Sequence, residues 1–156
     1  YQRYGIEPDA MSLGKAIGGG LPVGVMMAAP KYADLLQPGT HGCTMGGQPL
    51  CAAAAMATMK LIEDEDLTTR ANVLGEQITQ RIRDAGIGKV QDVRGAGLMI
   101  GIPLDCPGRD TLMGCLERGV IINYTQDTVL RLAPPLTIDE DTLAQGLDVL
   151  IDVLKA

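Results

Sequence analysis

The sequence predicts an α/β chain in two parts: the tail of an α/β unit, residues 1–70, followed by a small α+β unit, residues 71–156. Three observations carry this reading. An apolar strand-like run, two Gly-rich loops and an Ala-rich helix fill the first part. An amphipathic helical stripe crosses the boundary near residue 70. Beyond it, short strand-like runs alternate with two more helices. The 156 residues match the usual size of one domain, and 46% hydrophobic with 21% charged residues excludes disorder as the default.

Taken in order, Leu21–Ala29 reads as a buried strand between Gly18-Gly19-Gly20 and Pro30. A second Gly-rich loop covers residues 39–47. Pro49 then opens a helix in the favoured first-turn position. From Leu50 to Ile62 this helix is apolar on nearly every face, which predicts burial all round. Asp66 is placed to cap the next helix, whose Leu67, Ala71, Leu74, Ile78 and Ile82 form one stripe and which ends at Gly86. Val90–Leu104 reads as strand, Arg109–Arg118 as a short helix stopped by Gly119, and Val120–Leu132 as strands around a turn. Thr137-Ile138-Asp139-Glu140 matches a capping box before a final helix with Leu143, Leu147, Leu150, Ile151 and Leu154 on one face.

Composition narrows the function classes. A net charge of −6 argues against a binder of nucleic-acid phosphates or a basic membrane-surface module. Four Tyr with no Phe or Trp leave few stacking platforms for single-stranded nucleic acid. Cys43, Cys51, Cys106 and Cys115 contain no C-x-x-C pair, and His41 is the sole histidine, so no usual zinc site is expected. Reduced thiols in a cytoplasmic setting are expected instead. The longest apolar stretch, Leu50–Met59, is too short to span a bilayer. The chain starts at Tyr1 in dense motif sequence and reads as a piece of a longer protein.

Several motifs suggest chemistry. Gly95-Ala96-Gly97-Leu98-Met99-Ile100-Gly101 imitates a dinucleotide fingerprint, but its spacing is wrong and strand-like sequence follows it. Lys15 is the one charged residue between Asp9 and Lys31 and stands among Gly and apolar residues. Such surroundings disfavour the ammonium form and favour a nucleophilic amine of the kind that attacks carbonyls, although an exposed turn would also accommodate it. His41-Gly42-Cys43-Thr44-Met45-Gly46-Gly47 leads into a helix start, where a hydroxyl and free amides can take a phosphate or simply cap the helix. No carboxylate near His41 would orient it as a base. Arg131 lies between apolar residues before Pro134-Pro135: it either meets a carboxylate or faces solvent from an edge strand. Arg94 raises the same question, and its Gly-rich strand favours backbone support over substrate contact.

Four ordered segments resemble the class III, ornithine-type, aminotransferases that use pyridoxal 5′-phosphate. They are S-L-G-K-A-I-G-G-G-L-P-V-G at 12–24, T-H-G-C-T-M-G-G-Q-P-L-C-A-A-A at 40–54, V-R-G-A-G-L-M-I-G at 93–101 and V-L-R-L-A-P-P-L-T-I at 129–138. Residues 121–136 are most similar to the acetylornithine branch. The resemblance implies the end of a large cofactor domain followed by a small C-terminal α+β domain. It implies that Lys15 holds the cofactor covalently and shuttles a proton, and that Thr44 binds the cofactor phosphate across a homodimer interface. Cys43 stands where that branch usually has a substrate-touching serine, and it loses a good hydroxyl donor. Gln48 replaces the family's usual Asn. Arg131 matches the arginine that grips a substrate carboxylate. The implied reaction moves the distal amine of N-acetylornithine to 2-oxoglutarate, as in arginine biosynthesis. Ornithine, succinyldiaminopimelate or 4-aminobutyrate are alternative donors, and a non-catalytic relative is the alternative of another class. The implied partners are the amino donor and the 2-oxo acid, with no nucleic acid and no membrane. The aromatic that stacks on the cofactor ring and the aspartate that pairs with its nitrogen are expected upstream of Tyr1.

Overall fold

A computed structural model describes all 156 residues, Tyr1–Ala156. The chain forms two compact units, Tyr1–Glu65 and Asp66–Ala156. The division falls just before the amphipathic helix rather than within it near residue 70. The reason is local: Ala71 and Leu74 on the first turns of that helix already belong to the core of the second unit.

In the first unit, β1 (Ala10–Leu13) and β2 (Val25–Ala28) pair antiparallel, with Ala10 opposite Ala28 and Leu13 opposite Val25. The strand expected over Leu21–Ala29 is therefore shorter and is largely exposed instead of buried. Pro22 and Gly24 explain the loss, since one lacks a donor and the other weakens strand pairing. A 3-10 turn spans Lys15–Gly18 and another Pro30–Leu35. The helix α1 (Pro49–Asp64) has proline in its first turn, as expected, but only Ala55 is buried along its length. Leu50 is 69% exposed and Met56 72%. Within this chain the helix is not buried all round: a two-stranded ribbon and short turns supply too little surface to enclose a 16-residue helix.

The second unit has a continuous core. Its four-stranded antiparallel sheet has the order β3-β4-β6-β5, from β3 (Arg94–Ala96), β4 (Met99–Pro103), β5 (Asn123–Thr125) and β6 (Val129–Leu132). One sheet face is covered by α2 (Leu67–Asp84), α3 (Arg109–Glu117) and α4 (Glu140–Lys155). Ile78 and Ile82 of α2, Leu150 and Leu154 of α4, and Ile100, Ile102 and Leu130 of the sheet are essentially inaccessible to solvent. Each such side chain contributes about 1.5–3 kcal/mol by leaving water. The stripes read for α2 and α4 are the faces that meet this core.

Local details refine the expectations. Val90–Leu104 is a hairpin, β3 and β4, turning at Gly97, whose φ of 54° suits glycine; Val90 itself only bridges Leu104. Gly75 of α2 packs on that turn so closely that a Cβ there would lie 2.2 Å from the Gly97 carbonyl oxygen. The Gly95–Gly101 run therefore closes a hairpin and opens no nucleotide-binding helix. Asp66 occupies the position before α2 but has left-handed backbone and makes no capping bond. At α4 the cap is Asp139, two residues beyond the expected Thr137, and its Oδ1 accepts the Thr142 N–H at 2.9 Å. That bond holds the Asp139 carboxyl below its ordinary pKa, helped by the Thr142 hydroxyl and the charge of Arg70. All four cysteines are free; burial pushes the Cys115 thiol up. No helix is long and apolar enough to cross a membrane.

Candidate active-site residues

Lys15 follows Gly14, whose backbone is fully extended, and begins the short turn that ends at left-handed Gly19. Its own φ is 59°, a left-handed value that a side-chain-bearing residue adopts at a cost. The turn packs against α1, and Gly19 comes so near that an added Cβ would stand 3.0 Å from Thr58 Oγ1. That hydroxyl in turn donates to the Ala54 carbonyl at 2.9 Å within α1. The amine of Lys15 makes no hydrogen bond or ion pair, and the residue is exposed. The apolar enclosure suggested by the neighbouring sequence is not built by the residues of this chain.

Thr44 starts a turn over residues 44–47 that leads into α1. The turn is closed by the Gly46 N–H donating to the Cys43 carbonyl at 3.1 Å, and Gly47 is left-handed with φ 69°. The Thr44 hydroxyl and the Cys43 thiol are both exposed, and the hydroxyl has no partner. Gln48, immediately before α1, gives no side-chain cap, and the first turn of the helix carries no acidic residue. Its leading N–H groups and the positive end of its dipole are therefore available to an anion. The capping alternative for Thr44 is absent. Thus α1 organises both features, with the Lys15 turn on its flank and the Thr44 turn at its N-terminus.

Arg131 belongs to the second unit. It is not on an edge strand, since β6 lies between β4 and β5. Along β6, Leu130 and Leu132 point into the core, so Arg131 stands on the opposite, uncovered face. Its guanidinium has no partner. The exit of β6 is fixed by Arg70 of α2, which donates to the Leu136 and Ile138 carbonyls at 2.6 Å each. Arg131 and Asn123 also border a cavity of about 620 Å³ beside α4, walled mainly by apolar groups such as Pro135 and Leu143.

The strand register shows what the sequence alone concealed. Arg94 stands opposite Gly101, Gly101 opposite Arg131, and Arg131 opposite Asn123, so one row crosses the sheet on its uncovered face. The Arg94 side chain makes no hydrogen bond to backbone, contrary to the supporting role its strand suggested. That work is done by Arg83, which donates to the Val93 carbonyl at 2.6 Å. No group of three His, Cys, Asp or Glu side chains could hold a metal ion.

The chain is similar to known proteins over nearly its whole length. The family model described as Aminotransferase class-III matches residues 1–154. The acetylornithine aminotransferase of Methanothermobacter thermautotrophicus is 41% identical over 99% of this chain and 40% of its own length. That of Mycobacterium bovis is 42% identical over 92% of this chain and 36% of its own. Among solved structures, acetylornithine aminotransferase from Elizabethkingia anophelis superposes with a TM-score of 0.90 at 32% identity, covering 98% of this chain and 42% of that one. Ornithine aminotransferase from Toxoplasma gondii, whose active site holds pyridoxal phosphate at partial occupancy, gives 0.89 at 31% identity over 95% and 37%. The chain thus spans about two fifths of the length of the curated relatives it matches. A match over nearly every residue, with a mixed α/β fold shared at this level, leaves one conclusion: the chain belongs to the class III aminotransferase family.

Proposed function

We propose that the full-length protein carrying this chain is a pyridoxal-phosphate-dependent transaminase. In this reading residues 1–70 end its large cofactor domain and residues 71–156 form its small C-terminal domain. The observation that carries the reading is Lys15. The residue at the family's lysine position has a left-handed backbone, and its amine is exposed and unpartnered. Backbone strain of this kind concentrates at functional sites.

The residues present fit the cofactor. An aldehyde needs a free primary amine, which Lys15 offers. A phosphate needs a hydroxyl and unsatisfied N–H groups, which Thr44 and the uncapped N-terminus of α1 offer together. When bound, pyridoxal phosphate supplies a carbonyl for the amine and a ring that draws electrons from the carbon bearing it. Lys15 Nζ would hold the cofactor and would carry the proton at the amine-bearing carbon. Thr44 anchors the phosphate, in a homodimer across the interface. Cys43 contacts the substrate with a weak donor, and Arg131 grips a substrate carboxylate bidentately.

The favoured donor is N-acetylornithine and the favoured acceptor 2-oxoglutarate, placing the enzyme in arginine biosynthesis in the cytoplasm. The curated relatives support this donor. The structural likeness to ornithine aminotransferases, together with Cys43 in place of serine, favours ornithine as the second reading. Assaying glutamate formation by the full-length protein with each donor at equal concentration tests the choice. N-acetylornithine is expected to give the highest kcat/KM. A higher value for ornithine selects the second reading, and no transfer from any ω-amine overturns the proposal.

A further inference from the structure

The first unit buries little, and what it buries is concentrated in one place. Gly18 and Ala55 are its buried residues. Gly18 lies in the turn that begins at Lys15. Ala55 lies on the face of α1 that it shares with half-buried Cys51, Ala54, Thr58 and Ile62, while every other α1 side chain is exposed. The Lys15 turn packs against this helix, with Gly19 meeting Thr58.

The contact has one atom at its centre. Thr58 Oγ1 stands 3.0 Å from the position a Gly19 Cβ would take, and no other atom beyond the chain neighbours comes within 4 Å of it. The hydroxyl is held in place because it donates to the Ala54 carbonyl at 2.9 Å. Packing alone does not call for threonine, since Ala52, Ala53, Ala54, Ala55 and Ala57 surround it and alanine is the better helix former.

The turn carries this contact to Lys15 as a stiff piece. The Ile17 N–H donates to the Gly14 carbonyl at 3.3 Å and the Gly19 N–H to the Ala16 carbonyl at 2.9 Å. Gly18 fits so tightly that a Cβ there would lie 2.6 Å from Val23 Cγ1. Lys15 itself has a φ of 59° and no side-chain bond to keep it there. A strained backbone persists only where its surroundings over-determine it, and here the seat under Gly18 and Gly19 does so.

We propose that Thr58 is a positioning residue for Lys15: its fixed hydroxyl is the stop on which the turn seats, and it sets where the lysine amine stands. This rests on the reading of Lys15 as the cofactor-holding amine. Thr58 acts through the turn and not by touching cofactor or substrate.

The test uses the full-length, cofactor-loaded protein. Thr58→Ala leaves a gap under Gly19, and Thr58→Val sets a methyl group against it. Both are expected to lower kcat about tenfold or more, with KM for both substrates within about twofold of the parent. Without substrate, the midpoint pH of the absorbance of the lysine-bound cofactor should move by about half a unit or more. Thr58→Ser, which keeps the hydroxyl, should restore both. Parental kcat and midpoint in the alanine and valine variants would overturn the proposal, even if their melting temperatures fall. An equal loss in Thr58→Ser would overturn the role of the hydroxyl. Borohydride reduction of the parent separates the two readings. Cofactor fixed to Lys15 leaves that reading standing whatever Thr58 does, whereas cofactor fixed to another lysine removes both.

Discussion

Residues 1–65 and 66–156 differ most in what they bury. Of the buried apolar side chains, Ala55 alone lies in the first unit; the others, from Leu67 to Leu154, lie in the second. The first unit instead holds Lys15, Cys43 and Thr44 on turns around a helix with exposed Leu50, Met56 and Met59. The second places Arg131 on a sheet whose other face is fully packed. Side chains that act on a ligand need free donors and reachable atoms, whereas a core needs the opposite. The contrast sets the exposed candidate residues Lys15, Cys43 and Thr44 in one unit and the packed core in the other.

The largest effect expected from this contrast is on chemistry. Lys15→Ala should reduce transaminase turnover of the full-length protein by several orders of magnitude, with its melting temperature unchanged. Steady-state rates and thermal melts on the same sample check both halves. Substantial residual turnover would place the amine elsewhere.

Packing comes next. Ile78→Ala should cost about 2–5 kcal/mol, because it opens a cavity in a filled core. Met56→Ala, on the exposed face of α1, should stay within about 0.5 kcal/mol in residues 1–156. Denaturant titration of residues 1–156 measures both. Equal costs would erase the distinction between the units.

A smaller change is expected at Thr44. Loss of a hydroxyl bond to a charged phosphate is worth about 1.5–3 kcal/mol, so Thr44→Ala should weaken cofactor retention about ten- to a hundred-fold. Equilibrium dialysis of the full-length variant against free cofactor reads this directly. Unaltered retention would return the residue to a turn-forming role.

The smallest effect concerns acid. The Thr142 N–H holds the folded pKa of Asp139 below its unfolded value. Its contribution to stability is therefore complete above about pH 4 and is lost as pH falls through the folded pKa. Asp139→Ala should flatten that part of the melting-temperature profile below about pH 4. An unchanged acid limb would mean that the cap adds nothing.

What the sequence revealed follows physical range. The stripes Leu74-Ile78-Ile82 and Leu147-Leu150-Leu154 were legible because helical periodicity is local and each stripe meets a real core. The burial expected for α1 is not met within this chain, because apolar composition states a preference for partners, not their presence. The shift of the α4 cap from Thr137 to Asp139 is a contest between adjacent capping side chains, which pattern alone does not decide. Lys15 stood out by its isolation and its motif, but no periodicity encodes its left-handed φ. The row from Arg94 to Arg131 was hidden because it depends on the register of strands far apart in sequence.

The central claim is that the covalent anchor is Lys15, in the unit without a core. Borohydride reduction of the cofactor-loaded, full-length protein, followed by peptide mapping, tests it most directly. The account predicts that the cofactor is fixed to the peptide containing Lys15 and to no other. Label on Lys31, Lys60, Lys89 or Lys155, or on a lysine outside this chain, would contradict it.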